Sequence, residues 1–219
     1  MKGLTGAGRL YERRARVYDA MIALVGHRRR LRRFMADSGA VKDGIAVLDA
    51  GCGSGALTLA VQDAARDVGA KGLRCRAFDL SPRMLARFDA RLRALGRATE
   101  IRQADVLDLD VWLPSDWTGF DLVVSAGMLE HLPRASLSAA LVALRNRMSP
   151  DGTMAVFITR TGLFNRLFIG GVWGANVYRR EELEDAFADA GLDILTIAPF
   201  ASWGYAIVAE PALDDAKKV

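Results

Sequence analysis

From residue 45 onward, short apolar runs alternate with stretches whose apolar positions recur at helical spacing. The runs are IAVLDA (45–50), LRCRAFDL (73–80), TEIRQAD (99–105), FDLVVSA (120–126), GTMAVFIT (152–159), LDILTIAPF (192–200) and WGYAIVAE (203–210), which predict seven strands. Between them, Met84, Leu85, Phe88, Leu92 and Leu95 fall on one face of a helix over 82–95, and 136–148 and 179–190 are patterned in the same way. Strands alternating with helices of this length indicate βαβ units around a buried parallel sheet. Only APFAS separates the last two strands, too short for a parallel crossover, so the final strand is expected to be antiparallel. Ahead of the sheet, Leu10, Val17, Met21, Leu24, Val25, Leu31 and Phe34 predict two amphipathic helices broken near Gly26, with arginines between the apolar positions. The expected architecture is α/β, a Rossmann-like seven-stranded sheet with helices on both faces and a helical N-terminal extension. Residues 1–40 are read as a helical cap and 41–219 as the main domain, with a lid insertion at 160–178.

The first strand runs into VLDAGCGSGALTLA (47–60), where Gly51, Gly53 and Gly55 follow a buried strand and open a helix. A backbone approaches a ligand closely at such a place, and a side chain would obstruct it. GCGSGA also satisfies the looser dinucleotide fingerprint, but Asp49 argues against a dinucleotide. A carboxylate two residues before the first glycine repels a pyrophosphate, whereas it accepts a hydrogen bond from a cationic amino group. A phosphate-free, zwitterionic nucleoside fits better. Asp79 ends the second strand about two dozen residues later, where an acid can accept two hydrogen bonds from a ribose diol. Ser81 and Pro82 already suit the cap and first position of the next helix, which leaves Asp79 free for that role. Asp105 ends the third strand, facing an adenine amine or else closing a local turn.

Composition changes this picture little. Half of the 219 residues are apolar, which suits one compact domain, and the net charge of +4 is carried mostly by arginine. Cys52 and Cys75 stand far apart without metal-ligand spacing, so reduced thiols in a cytoplasmic compartment are expected. The apolar stretch AMIALVG (20–26) is followed by HRRRLRR and no small-residue cleavage site, so it is not read as a signal peptide. The longest other uncharged run, Leu167–Tyr178, falls short of the ~20 residues that span a bilayer.

VLDAGCGSG, the acid of AFDLS, QADVLDL, FDLVVSAGMLEHLP and LRNRMSPDGTMAVF stand in an order and spacing that resemble the class I S-adenosylmethionine-dependent methyltransferases, over almost all of Ile45–Glu210. The resemblance implies a seven-stranded sheet with the last strand antiparallel. It also implies that Asp49, Gly51, Cys52, Gly53, Asp79, Leu80, Asp105, Val106 and Ser125 surround S-adenosylmethionine. The segment YERRARVYDAMIALVGHRRRLRRFM is similar to the start of the ubiquinone and menaquinone biosynthesis methyltransferases, with Tyr11, Ala15, Tyr18, Asp19, His27, Arg28 and Arg33 near matching positions. That similarity implies a helical segment closing over the cofactor, with Tyr18 or an arginine at its methionine carboxylate. The alternative is a solvated basic face.

MLEHLP also resembles the quinone O-methyltransferases and some RNA-end methyltransferases, in which a glutamate three residues before the Glu-His pair completes a metal site. Gly127 stands there in this chain, so no metal is expected at Glu130 and His131. His131 is the candidate general base, ahead of Glu130, with packing or capping of the following loop as the alternative role. RTGLFNRLFIGGVWGANVY (160–178) is long and aromatic for a connection, so it reads as a lid. Tyr11, Met128, Phe164, Phe168, Trp173 and Tyr178 are expected to line an apolar acceptor pocket. The expected acceptor is a quinone-like or natural-product-like small molecule, methylated on oxygen, carbon or nitrogen by a monomer or homodimer. A membrane-surface lipid N-methyltransferase, a nicotinamide oxidoreductase and a non-catalytic cofactor-binding subunit are the rival readings. Nucleic acid is not expected as a partner, whereas the arginine cluster suits contact with an anionic membrane.

Overall fold

The computed structural model describes residues 27–160, 175–201 and 204–212. Seven strands form one sheet in the order β3-β2-β1-β4-β5-β7-β6: β1 Ala46–Ala50, β2 Arg74–Asp79, β3 Glu100–Gln103, β4 Phe120–Ala126, β5 Met148–Thr159, β6 Leu192–Phe200 and β7 Gly204–Pro211. The pairs β1–β2, β1–β4, β2–β3 and β4–β5 are parallel, and β7 runs antiparallel to both β5 and β6. The short connection after β6 therefore does what its length requires, turning the chain back as a hairpin.

Alternating side chains of the central strands feed two apolar layers. Leu48, Val123, Val156 and Ile158 face α4 (Leu109–Trp112), α5 (Leu137–Arg145) and α6 (Arg180–Asp189). Val47, Leu122, Val124 and Phe157 face α1 (His27–Asp37) and α2 (Ala56–Val68). On that second side, α3 (Pro82–Leu95) packs beside α2 through Leu85, Phe88 and Leu92. Ser81 caps α3 by accepting from the Met84 N–H at 3.3 Å, and Pro82 takes the first helical position, as the sequence predicts.

Two boundaries differ from expectation. The helix expected over 136–148 ends at Arg145, and Met148 already pairs with Phe120 as the first residue of β5. Its apolar side chain is buried by the sheet edge instead of by a helix face, a distinction that periodicity does not carry. The strand expected over 99–105 stops at Gln103, because Asp105 caps a short 3-10 turn at Val106–Asp108.

Of the two expected N-terminal helices, the second is α1; Leu10 to Val25 lie outside the described residues. Leu31 and Met35 of α1 are buried, and Phe34 stacks edge-on against Phe157 and Phe200 at 5.1 and 6.1 Å. Arg28 pairs with Asp63 at 2.6 Å, and Arg32 pairs with Asp67. Pairing in ascending order along both helices means that α1 runs parallel to α2. Asp63 also takes the Arg97 guanidinium, and these arginines hold its carboxyl below the usual carboxylate range against the opposing effect of burial. Among the described residues, no helix is long and apolar enough to cross a membrane.

Candidate functional site

The carboxyl ends of β1 to β4 gather Asp49, Asp79, Asp105 and the loop 127–132 at one edge of the sheet, where strand order reverses between β1 and β4. Open α/β sheets bind ligands at such a reversal. The glycine loop there is held by bonds from three of its backbone N–H groups: Cys52 N–H to the Phe78 carbonyl (2.9 Å), Gly53 N–H to Asp79 Oδ2 (2.8 Å) and Gly55 N–H to the Cys52 carbonyl (2.8 Å).

The three glycines do different work. A Cβ on Gly51 would lie 2.3 Å from Met128 Cγ, and one on Gly55 would lie 2.0 Å from the Phe88 ring. A Cβ on Gly53 would meet nothing within 4 Å. The reading that all three glycines leave room for a ligand is therefore corrected. Gly51 and Gly55 admit protein side chains, and Gly53 alone borders open space.

Asp49 is buried, and its Oδ2 accepts from both the Thr58 N–H (2.9 Å) and the Thr58 hydroxyl (2.5 Å) in the first turn of α2. Its Oδ1 is buried without a partner. Burial pushes this carboxyl up to about 7, against the lowering effect of the Thr58 bonds and with a further push from Asp79. A buried carboxyl with one unused oxygen, two residues before the glycine loop, is a ready acceptor for a ligand cation.

Asp79 is not free, contrary to the expectation drawn from Ser81. Its Oδ2 takes the Gly53 N–H and its Oδ1 takes the Ser81 N–H, each at 2.8 Å. Each oxygen keeps one further acceptor position, so Asp79 can hold the loop and still meet a diol. Asp105 makes the local turn, with Oδ1 accepting from Leu107 N–H at 3.0 Å. Ser125 is buried and donates to the Ala50 carbonyl (2.9 Å), so its hydroxyl proton joins β4 to β1. Val106 is buried, whereas Leu80 is 58% exposed beside the loop. Cys52 is buried among acids, with its thiol pushed well above the ordinary range by desolvation and by Asp49 and Asp79, so it stays a protonated, unreactive thiol.

In the loop after β4, Met128 covers Gly51, while the two residues ranked as bases diverge. Glu130 is buried and accepts from the Thr159 hydroxyl at 2.8 Å, with Oε2 unpartnered and the carboxyl pushed up to about 7 by burial. His131 is exposed, and partial desolvation lowers its pKa, which favours the neutral imidazole. Asn176 ties the returning chain to this loop, its N–H donating to the Glu130 carbonyl and its side-chain amide to the Leu132 carbonyl, both at 2.7 Å. Sequence reasoning did not find Thr58, Thr159 or Asn176, whose partners are remote in the chain. Thr159→Val is expected to cost about 1–2 kcal/mol in urea unfolding, because it removes the side-chain hydrogen bond of the buried Glu130 carboxyl.

Other expected positions fall elsewhere. Tyr178 is buried in the core, with the Arg134 guanidinium 4.7 Å over its ring. Arg28 is committed to Asp63, and Arg33 lies on the exposed face of α1. Tyr11, Ala15, Tyr18, Asp19, Phe164, Phe168 and Trp173 lie outside the described residues. Among the described residues, no group of three or more His, Cys, Asp or Glu side chains is placed to hold a metal ion.

Residues 47–152 match the model of a family described as "Methyltransferase domain". No curated protein matches the sequence. The fold is similar to that of an S-adenosylmethionine-dependent methyltransferase from Clostridium acetobutylicum ATCC 824, at 15% identity and a TM-score of 0.71, covering 93% of this chain and all of that one. It is also similar to magnesium protoporphyrin IX methyltransferase from Synechocystis PCC 6803 with bound SAH, at 18% identity and a TM-score of 0.62, covering 95% of this chain and 89% of that one. A third structure, mitomycin 7-O-methyltransferase, is similar at 20% identity and a TM-score of 0.65 over 82% of this chain, which spans 53% of that protein. The sheet is thus the Rossmann-like methyltransferase fold.

Proposed function

From the match of residues 47–152 to a methyltransferase domain, we propose that this chain transfers a methyl group from S-adenosylmethionine to oxygen, carbon or nitrogen of an apolar or aromatic small molecule. The observation that carries the reading is the pairing, at one loop, of open space over Gly53 with the buried, unpartnered Oδ1 of Asp49. A ligand with a cationic amino group and no phosphate satisfies that oxygen, and a dinucleotide does not. Asp79 would meet the ribose with its remaining acceptor positions, and Leu80 offers an exposed apolar surface for the base. The neighbouring structures named for porphyrin and mitomycin methylation support a small-molecule acceptor, quinone-like or natural-product-like.

S-adenosylmethionine, when bound, supplies an already activated electrophilic methyl group. The protein's own task is then mainly to orient an acceptor atom and exclude water. Met128, resting on Gly51 at the rim of the site, is the described residue we place against the acceptor. His131, neutral and accessible, is the side chain we assign to taking a proton from a phenol or enol acceptor. Glu130 is buried against Thr159 and serves the loop instead.

Calorimetry should give binding of S-adenosylhomocysteine and none of NAD; the reverse result removes the reading. Turnover of a phenol and quinol panel with labelled methyl donor separates an enzyme from a non-catalytic binding subunit. His131→Ala is expected to lower turnover of a phenolic acceptor while leaving S-adenosylhomocysteine affinity unchanged. Undiminished turnover at saturating donor would exclude His131 as the base.

A further inference from the structure

Helix α1 carries its charge against its own dipole. Its sequence HRRRLRRFMAD puts no acid in the first turn and no base in the last, so cations crowd the end whose partial charge is already positive. Arg28 and Arg32 have protein partners in Asp63 and Asp67. Arg29, Arg30 and Arg33 have none among the described residues, and all three are exposed. At 100° per residue, Arg29 and Arg33 lie one turn apart directly opposite the buried Leu31 and Met35, with Arg30 beside them. Like charges at this spacing repel, so the arrangement costs the helix stability on two counts. A local rule broken without an internal gain marks a surface shaped for something outside the molecule.

We infer that this face of α1 docks on an anionic lipid surface. Guanidinium groups in a row bind lipid phosphates in paired hydrogen bonds, and such an anion relieves both the repulsion and the opposed dipole. The face offers no aromatic platform on which a nucleic-acid base can stack, since Phe34 is turned inward onto Phe157 and Phe200. Because Arg28 and Arg32 reach Asp63 and Asp67, the arginine-rich half of α1 lies alongside the C-terminal half of α2, away from the end that leaves the glycine loop. The docking itself does not depend on methyl transfer, because it is read without donor or acceptor.

The test is co-flotation of the full chain with phosphatidylglycerol-containing vesicles and with pure phosphatidylcholine vesicles, at low and high salt. Binding is expected only to the anionic vesicles and only at low salt. R33Q should weaken it roughly fivefold, and R29Q/R30Q/R33Q about a hundredfold, on the basis of about 1 kcal/mol for each arginine near the surface. R29K/R30K/R33K should retain most of it. The glutamine variant should melt no lower than the parent, since it removes repulsion and touches no buried contact. Absence of vesicle binding, equal binding by the glutamine variant, or tighter binding to duplex DNA than to anionic vesicles would each overturn the inference.

Discussion

Gly55→Ala is expected to destabilise the folded protein by about 4 kcal/mol, combining a left-handed backbone with an over-packed contact. Gly55 has φ 84, where an alanine Cβ crowds its own carbonyl, and that Cβ would sit 2.0 Å from the Phe88 ring. Phe88, on the face of α3 turned to α2, is fully buried, so it has nowhere to retreat. Gly53→Ala has a different signature. Its φ of 53 costs about 1 kcal/mol, and the new methyl enters open space, so the loss falls on ligand binding, with S-adenosylhomocysteine affinity reduced about tenfold or more. Gly51→Ala is expected to cost about as much as Gly55→Ala, because its φ of 70 is also left-handed and the new Cβ would lie 2.4 Å from Met128 Cβ, which no side-chain rotation moves. Urea unfolding and calorimetry on the three variants separate these roles. Equal stability losses at Gly53 and Gly55 would sink the division of labour.

That division was not legible in the sequence, although the loop itself was. GCGSGA after a buried strand announces a close approach, but whether the visitor is a ligand, Met128 or Phe88 depends on residues 33 or more positions away. The strands were legible because burial on both faces leaves near-continuous apolar runs, and the hairpin because five residues cannot support a crossover. Asp79 was misjudged as free because a side chain's hydrogen-bonding capacity can be read from its type, but its partners are set by the folded chain: the Gly53 N–H and the Ser81 N–H. Glu130 and His131, adjacent in the chain, diverge because a 3-10 turn sends one carboxyl to Thr159 and leaves the imidazole outside.

Asp49→Asn is expected to weaken S-adenosylhomocysteine binding about a hundredfold and to remove its dependence on pH. A hundredfold corresponds to about 2.7 kcal/mol, within the range for removing one partner of a buried charge pair. In the free protein, burial raises the Asp49 carboxyl to about 7, so below that pH it is largely protonated and offers no charge to the ligand's ammonium group. Affinity should therefore rise with pH toward about 7. It should fall again only at higher pH, once the ligand's α-amino group loses its proton. The sign for stability is opposite. A carboxyl whose pKa is higher folded than unfolded binds more protons in the folded state between about 4 and about 7, so the free protein loses stability as pH rises through that window, by up to about 4 kcal/mol from Asp49. The asparagine variant lacks this loss. At about pH 8 it should unfold at higher urea than the parent while binding the ligand far more weakly. Calorimetry and urea titrations between about pH 5 and pH 9 read both effects, and a parent affinity that stays flat across that range would show that Asp49 does not hold the ligand's cation.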